Sequence, residues 1–281
     1  MFQYAAGRAM ALRSGAPLKL DIYDLVDRTP WPDFVHRDCD LGLLMAPLDF
    51  ASLTDLGRIH GKTTNILTRL ILRYHKELLR GNTFREINQQ FQPALIGKKR
   101  RYAYLLGHWQ DERYFKEFKD VIRQDFAMRG KHESDFLQPI ANSESVCLNV
   151  RRTDFVAAAA ERDYRTECNE TYYRKAVDLI LAKHKKIRIF GFSDDVEWCE
   201  QNLKLQEPVT WIPHSEARVK FGRYFWLMRQ CKHFVIPNST FAWWAAWLGD
   251  SPQKMVVCPK QWYNDPDEQS EGLIPGDWIS I

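Results

Sequence analysis

Residues 146–155 read VCLNVRRTDF. Val146 to Val150 form an apolar, β-branched run that predicts a buried strand, and the chain leaves it through Arg151, Arg152, Thr153 and Asp154 into an alanine-rich stretch. In an open α/β sheet, ligands sit beyond the carboxyl ends of the strands. Paired guanidinium groups at such an end call for an anion, because each presents a fixed fork of donors shaped for carboxylate or phosphate. The stretch therefore predicts an α/β fold with a phosphate clamp. The structural alternative is an internal Arg–Asp pair that holds the loop.

Downstream of this strand the sequence alternates regularly. A helix is predicted over 169–183, with Tyr172, Tyr173, Ala176, Val177 and Ile180 on one face, then a strand over 187–192 and a helix over 194–203. A strand at 209–212, a helix from about 217 to 231, a strand at 233–236, a helix at 239–248 and a strand at 255–258 complete the series. Strands alternating with helices of this length mean crossover units and a mostly parallel sheet, so 145–281 is expected to be a Rossmann-like domain. No G-x-G-x-x-G follows any of these strands, which removes most of the support for NAD chemistry.

Upstream the pattern is weaker. FQYAAGRAMALRS, residues 2–14, has helical spacing and is followed by Gly15 as a stop. PLKLDI, residues 17–22, alternates as a strand does, 66–79 suggests a helix, YAYLLGHW at 102–109 suggests a strand, and 111–126 carries Tyr114, Phe115, Phe118, Val121, Ile122 and Phe126 at helical spacing. This defines an N-terminal α/β domain over 1–135, with a polar, Pro139-containing linker at 130–145. The helix at residue 2 has no N-cap and no strand before it, so an upstream element is expected to be missing.

Composition bounds the function classes. Of 281 residues, 45% are hydrophobic and 27% charged, the balance of a globular protein with a core rather than a disordered chain. The net charge of +4 and the short basic clusters at 98–101 and 183–186 are too small to argue for a nucleic-acid partner; a local anionic ligand fits them as well. Six cysteines, at 39, 147, 168, 199, 231 and 258, form no C-x-x-C pair. Structural zinc and a disulfide framework are therefore not expected, and Cys147, Cys199 and Cys231 read as small core residues in a reducing compartment. No run has the length of a membrane span and no leader pattern is present, so the expected location is cytoplasmic.

Two further strand ends carry unusual residues. After the strand at 187–192 come Ser193, Asp194 and Asp195, where a carboxylate could accept from ribose hydroxyls or a base edge; the alternative is that Ser193 or Asp194 caps the next helix. After the strand at 233–236 come Asn238, Ser239 and Thr240, leading into FAWWAAWL. A helix starting there offers free backbone donors, two hydroxyls and the positive dipole end, a ready anion site, although capping alone also explains it. Trp243, Trp244 and Trp247 read as core, with sugar stacking by one of them as the alternative. Positive charge, carboxylates and a helix N-terminus at three strand ends together make a nucleotide-diphosphate site.

FQYAAGRAMAL, LGHWQDERYF, NVRRTDF, FSDD, CKHFVIPNSTFAWWAAWL and PKQWYND together resemble glycosyltransferase family 11, the α-1,2-fucosyltransferases. The resemblance implies a GT-B fold, two Rossmann-like domains facing across a cleft, with the N-terminal one lacking its first strand here. It implies inverting, metal-independent transfer of fucose from GDP-L-fucose, the donor substrate, to a galactoside hydroxyl of a glycan. No cofactor is implied. Arg151 and Arg152 match the arginines of the family's H-x-R-R-x-D motif, the second as diphosphate ligand, and Asp154 matches its acidic residue. Ser193, Asp194 and Asp195 match the segment near the nucleoside, and Asn238, Ser239 and Thr240 the phosphate side. The catalytic set is then Arg152 with Asp154 or Glu161 as general base. Two departures are visible. Asn149 stands where the family has His and cannot take up a proton near neutral pH, and the family's G-G-L-G-N-Q turn before the FQYA helix is absent, as in a fragment, a chain with a wrong start or a degenerate copy. The alternative function is a nucleotide-sugar-binding protein that does not catalyse, or a truncated inactive copy. Peripheral association with the inner membrane face through the acceptor is a further expectation.

Overall fold

The structure is a computed structural model and describes residues 1–27, 38–60, 83–87, 89–96, 99, 102–152, 168–263 and 272–281. The chain divides into two compact units, Met1–Arg129 and Gly130–Ile281.

In the first unit the predicted N-terminal helix is α1, Phe2–Ser14. Gly15 ends it in the left-handed conformation, φ 63°, with its N–H near the carbonyls of Ala11 and Leu12. Phe2, Tyr4, Ala5, Ala6, Ala9, Met10 and Ala11 are all buried, so the helix needs small residues on most sides rather than one apolar stripe. The helices α2 (Tyr23–Val26) and α3 (Leu53–His60) follow, then a parallel pair, β1 (Thr83–Arg85) and β2 (Tyr104–Leu106), and the helix α4 (Lys119–Asp125). The Tyr4 hydroxyl and Arg8 Nε both donate to Asp125 Oδ2, at 2.8 and 2.9 Å, tying α1 to α4.

Three expectations for this unit are corrected. Residues 17–22 form one parallel bridge, Leu20 to Phe50, rather than a strand. Extending that ladder backward would reach Pro17 and Pro47, neither of which has an N–H to give. Residues 111–126 are two 3₁₀ turns followed by α4, because Phe115 adopts φ −138°, ψ −5° and interrupts the helix. The strand expected over 102–109 is confined to 104–106 and ends at Gly107. The helix suggested over 66–79 lies outside the described residues.

The second unit opens with a short helix, α5 (Leu137–Ala141), in place of the expected open linker over 130–145. Ile140 is fully buried and the Ser134 hydroxyl donates to Glu216 at 2.8 Å, so this stretch belongs to the unit's core. Pro139 is tolerated because it sits in the first turn, where its missing N–H has no intrahelical acceptor. The alternation that follows is β3 (Ser145–Val150), α6 (Glu170–Leu181), β4 (Arg188–Ser193), α7 (Val196–Asn202), β5 (Val209–Trp211), α8 (Gly222–Met228), β6 (His233–Val235), α9 (Thr240–Leu248), β7 (Val256–Cys258) and β8 (Ile279–Ser280). Among the described residues all five pairings of this sheet are parallel and the spatial order is β5-β4-β3-β6-β7-β8. The order runs outward from β3 in both directions, which is the Rossmann arrangement, and its topological switch point lies between β3 and β6.

Every residue of β3 is buried, as a central strand covered on both faces must be. Val146, Leu148 and Val150 face a cluster with Tyr173, Ala176, Val177 and Ile180 of α6 and Cys199 of α7. The other sheet face meets α8 and α9: Phe192 packs edge-on against Tyr224, and Phe234 lies against Gly249 at the end of α9. Trp243, Trp244 and Trp247 are buried in this layer, Trp243 and Trp247 stacked at 6.1 Å, and the Trp243 indole N–H donates to Leu273 O. The core reading of these tryptophans holds. The helix expected over 217–231 begins only at Gly222, because Arg218, Lys220 and Phe221 all have φ between 51° and 57°.

Candidate functional site

Three adjacent strands, β4, β3 and β6, bring the three marked strand ends to the same edge of the sheet. Val150 lies opposite Ser193 and Leu148 opposite Val235, so the chain passes Arg151 and Arg152 beside Asp194 and Asp195. With neighbouring strands about 4.8 Å apart, three ends span about 10 Å, the reach of a diphosphate with part of its nucleoside. The site falls at the switch point, where no crossover helix fills the space between diverging connections.

At the end of β3, the Arg152 N–H donates to Asp194 Oδ1 at 2.9 Å, which pins the strand end to the β4 turn. The Arg152 side chain lies over the indole of Trp198, its Cζ 3.5 Å from the ring centroid, and its Nε is 3.9 Å from Asp195 Oδ2. The internal Arg–Asp reading and the clamp reading thus share residues: the carboxylates contact Arg152, while its Nε is buried with no hydrogen-bond acceptor among the described residues. Arg151 is half-buried next to it. Asn149 is buried and its Nδ2 donates to Phe192 O at 3.0 Å, so it joins β3 to β4 rather than acting on a proton.

At the end of β4, the capping residue of α7 is Asp195, not Ser193 or Asp194. Its Oδ1 accepts from the Trp198 N–H at 3.1 Å. Ser193 is buried and its Oγ accepts from the Asp195 N–H at 3.0 Å and from the Cys199 thiol at 3.3 Å. Burial pushes that thiol up to about 11, so it is a neutral donor and no nucleophile. Of the three residues, Asp194 and Asp195 are the half-exposed ones.

At the end of β6, Asn238 and Ser239 are buried, and Asn238 Nδ2 donates to Trp262 O at 2.9 Å. Ser239 occupies the N-cap of α9 but makes no side-chain capping bond. A helix start without a side-chain cap, with the positive end of its dipole, is a place where an anion can be received. Thr240, the first helical residue, is half-buried at this end. On α6, the Tyr172 hydroxyl donates toward Ile236 O at 2.5 Å, with Val257 O at 3.3 Å, closing the ends of β6 and β7. Thr153, Asp154 and Glu161 lie outside the described residues. The sequence reading missed Trp198; a tryptophan three residues past an Asp cap is signalled only by its place on the turn that faces Arg152.

Among the described residues, Glu144, His184 and His233 could hold a metal ion by distance, with donor atoms within 4.8 Å of one another. They lie at the opposite, amino-terminal edge of the sheet. His233 Nδ1 accepts from the Met255 N–H at 3.2 Å, which leaves the ring proton on Nε2, 2.6 Å from Glu144 Oε1. Ligation through Nε2 would move that proton to Nδ1 and set two N–H groups against each other. Lys232 Nζ, 3.2 Å from Glu144 Oε2, already balances the carboxylate. The donor set fits a hydrogen-bonded tie between β3 and β6 better than a cation site.

The sequence profile described as glycosyl transferase family 11 matches residues 62–281. An α-1,2-colitosyltransferase of Escherichia coli is 27% identical over 290 residues, covering all of this chain and 94% of that protein. The O-antigen biosynthesis glycosyltransferase WbnK of Escherichia coli is 31% identical over 140 residues, half of this chain and 45% of its own length. Among solved structures, NodZ α-1,6-fucosyltransferase co-crystallized with GDP aligns over 87% of this chain and 86% of its own, at 16% identity and a TM-score of 0.43. No helix among the described residues is long and apolar enough to cross a membrane.

Proposed function

The chain belongs to glycosyl transferase family 11, and from that premise we propose that it is an inverting α-1,2-fucosyltransferase, moving L-fucose from GDP-L-fucose to a galactoside hydroxyl of a glycan. Colitose, the sugar in the name of the full-length relative, is the alternative donor sugar. The observation that carries the reading is Arg152 at the switch point, with its backbone on Asp194, its side chain near Asp195 and the α9 N-terminus one strand away. The family's GT-B arrangement, with the donor held by the C-terminal domain, is part of the same proposal. The free cysteines among the described residues support a reducing, cytoplasmic setting, with contact to a membrane only through the acceptor.

As the glycosidic bond to GDP breaks, negative charge builds on the β-phosphate while the fucosyl carbon becomes cationic. The chief task is to stabilise that charge where it develops, with donors already in place. Arg152 supplies in-plane N–H groups, Arg151 a second positive charge, and the first turn of α9 its amides and dipole. Asp194 and Asp195 keep Arg152 in place and offer acceptors toward the nucleoside. Ser193 and Asn238 shape the two turns, and Ser239 and Thr240 bring hydroxyls to the phosphate side. A carboxylate removes the acceptor's proton, and Asp154 and Glu161 are the groups proposed for that step.

The test is to incubate the purified chain with GDP-fucose and a panel of galactosides, then with the corresponding colitose donor, and to follow GDP release and product mass. A product carrying the new sugar on the galactose 2-hydroxyl is expected. Saturable GDP binding without product from either donor would replace the enzyme reading with that of a binding protein.

A further inference from the structure

We infer that Trp198 is a positioning residue that holds the Arg152 guanidinium flat for the donor's diphosphate, an inference that rests on the GDP-sugar reading above. The Arg152 Cζ stands 3.5 Å from the centroid of the Trp198 ring, well inside the range of a cation–π contact. Guanidinium donors lie in the plane of the group, so a partner on its face leaves the donors at its edge available. A partner on its edge, such as a bidentate carboxylate, would use them up. Here the carboxylate contact is a long one: Asp195 Oδ2 is 3.9 Å from Nε. The Nε atom is buried and has no hydrogen-bond acceptor among the described residues. The face is thus occupied and Nε is without an acceptor among the described residues, the arrangement suited to a phosphate oxygen arriving at the guanidinium edge.

Trp198 is itself rigidly placed. Its N–H is capped by Asp195 Oδ1 at 3.1 Å and its carbonyl accepts from Asn202 Nδ2 at 2.9 Å. The β4–α7 connection and the first turn of α7 therefore grip Arg152 in three ways: Asp194 holds its backbone N–H, Asp195 neutralises part of its charge, and Trp198 supports its plane. Asp195 links two of these roles, since its Oδ1 sets the helix turn that carries Trp198 while its Oδ2 faces Arg152. An arginine left in solvent samples many rotamers and loses that freedom on binding an anion. Resting on the indole, it has lost much of that freedom before the donor arrives, so binding costs less.

The test uses the full chain and its Trp198→Phe, Trp198→Leu and Arg152→Ala variants, with thermal unfolding as the check of folding. Trp198→Leu is expected to weaken GDP binding about tenfold while binding of guanosine, which lacks the phosphates, changes little. Trp198→Phe should restore most of the loss, since a ring remains under the cation. In the Arg152→Ala background Trp198→Leu should add no further loss, because the two residues act as one. Transfer assays should show the effect of Trp198→Leu in KM for GDP-fucose and in kcat together. Equal GDP affinity in the unaltered chain and Trp198→Leu, equal losses in Trp198→Phe and Trp198→Leu, or additive losses in the double variant would each overturn the positioning role and leave the GDP-sugar reading standing. Failure of the unaltered chain to bind GDP at all would overturn both.

Discussion

Two arginines at the end of an apolar run announce an anion site, because a buried strand does not end in two forks of donors without an acceptor for them. Which arginine is held, and by what, depends on neighbours more than 40 positions away: Asp194, Asp195 and Trp198 reach it only through the pairing of β3 with β4. Replacing Arg152 by Ala is expected to weaken GDP binding by about 2–4 kcal/mol, the cost of removing a partner of a partly desolvated phosphate. Arg152→Lys should recover less than half of this, since a point charge neither stacks on Trp198 nor bonds two oxygens. Isothermal titration decides the matter: unchanged affinity in Arg152→Ala would make the arginine a purely structural element of the loop. The same residue scale explains Ser193, whose hydroxyl accepts from Asp195 N–H and the Cys199 thiol and so shapes the turn. An S-D-D string cannot tell which of its three members caps the helix.

At the scale of elements, the second unit followed its pattern closely, with strand and helix ends displaced by one to a few residues. Its exceptions have local causes. The helix before β6 starts late because Arg218, Lys220 and Phe221 adopt left-handed backbone conformations, which hydrophobic spacing does not register. Residues 279–280 escaped notice because a two-residue strand has no periodicity to detect. In β4, Gly191 reads as a mere gap in an apolar run, yet a Cβ there would stand 2.2 Å from Trp211 Cε3 on β5. Gly191 is thus the seat of the Trp211 ring. Gly191→Ala should destabilise the protein by about 1–3 kcal/mol through overpacking, read as a shift in the urea midpoint, and Trp211→Val in the same chain should recover part of the loss. A neutral Gly191→Ala variant would mean that the ring turns aside freely.

Within the whole second unit, the amino-terminal and carboxyl-terminal edges of the sheet have separate jobs. The carboxyl edge carries the candidate site. The amino edge carries the tie of Glu144, His184, Lys232 and His233, which joins the start of β3, the end of α6 and the start of β6. Burial holds His233 below its ordinary value of 6.5, with His184 and Lys232 acting in the same direction and Glu144 against them. Unfolding returns the ring to its ordinary value, so between that value and the folded one the unfolded chain binds the extra proton. Stability should therefore fall as pH drops below about 6.5, by up to about 1.4 kcal/mol per pH unit for this one group. Glu144 is lowered from 4.5 by the hydrogen bond from His233 and next by Lys232, so its contribution is present above 4.5 and lost below it. Urea unfolding between pH 8 and 5 checks the first limb. His233→Gln keeps a donor near Glu144 but cannot titrate, and its stability should fall less steeply over this pH range, by at most one proton in slope; equal slopes would remove His233 from the account.

The alternation of the second unit, the core tryptophans and the three marked strand ends are legible in residue order alone, because burial and turn chemistry are local properties written in spacing and residue type. That these ends lie on the adjacent strands β4, β3 and β6, that Asp195 is the cap, and that Trp198 lies beneath Arg152 follows from the folded chain. Strand order is a choice among pairings that share the same local pattern, and it is settled by which long-range contacts bury the most surface together. In the first unit the same limit showed sooner: the alternation of PLKLDI is a strand signal, and the absence of N–H groups on two prolines in different segments reduced it to a single bridge.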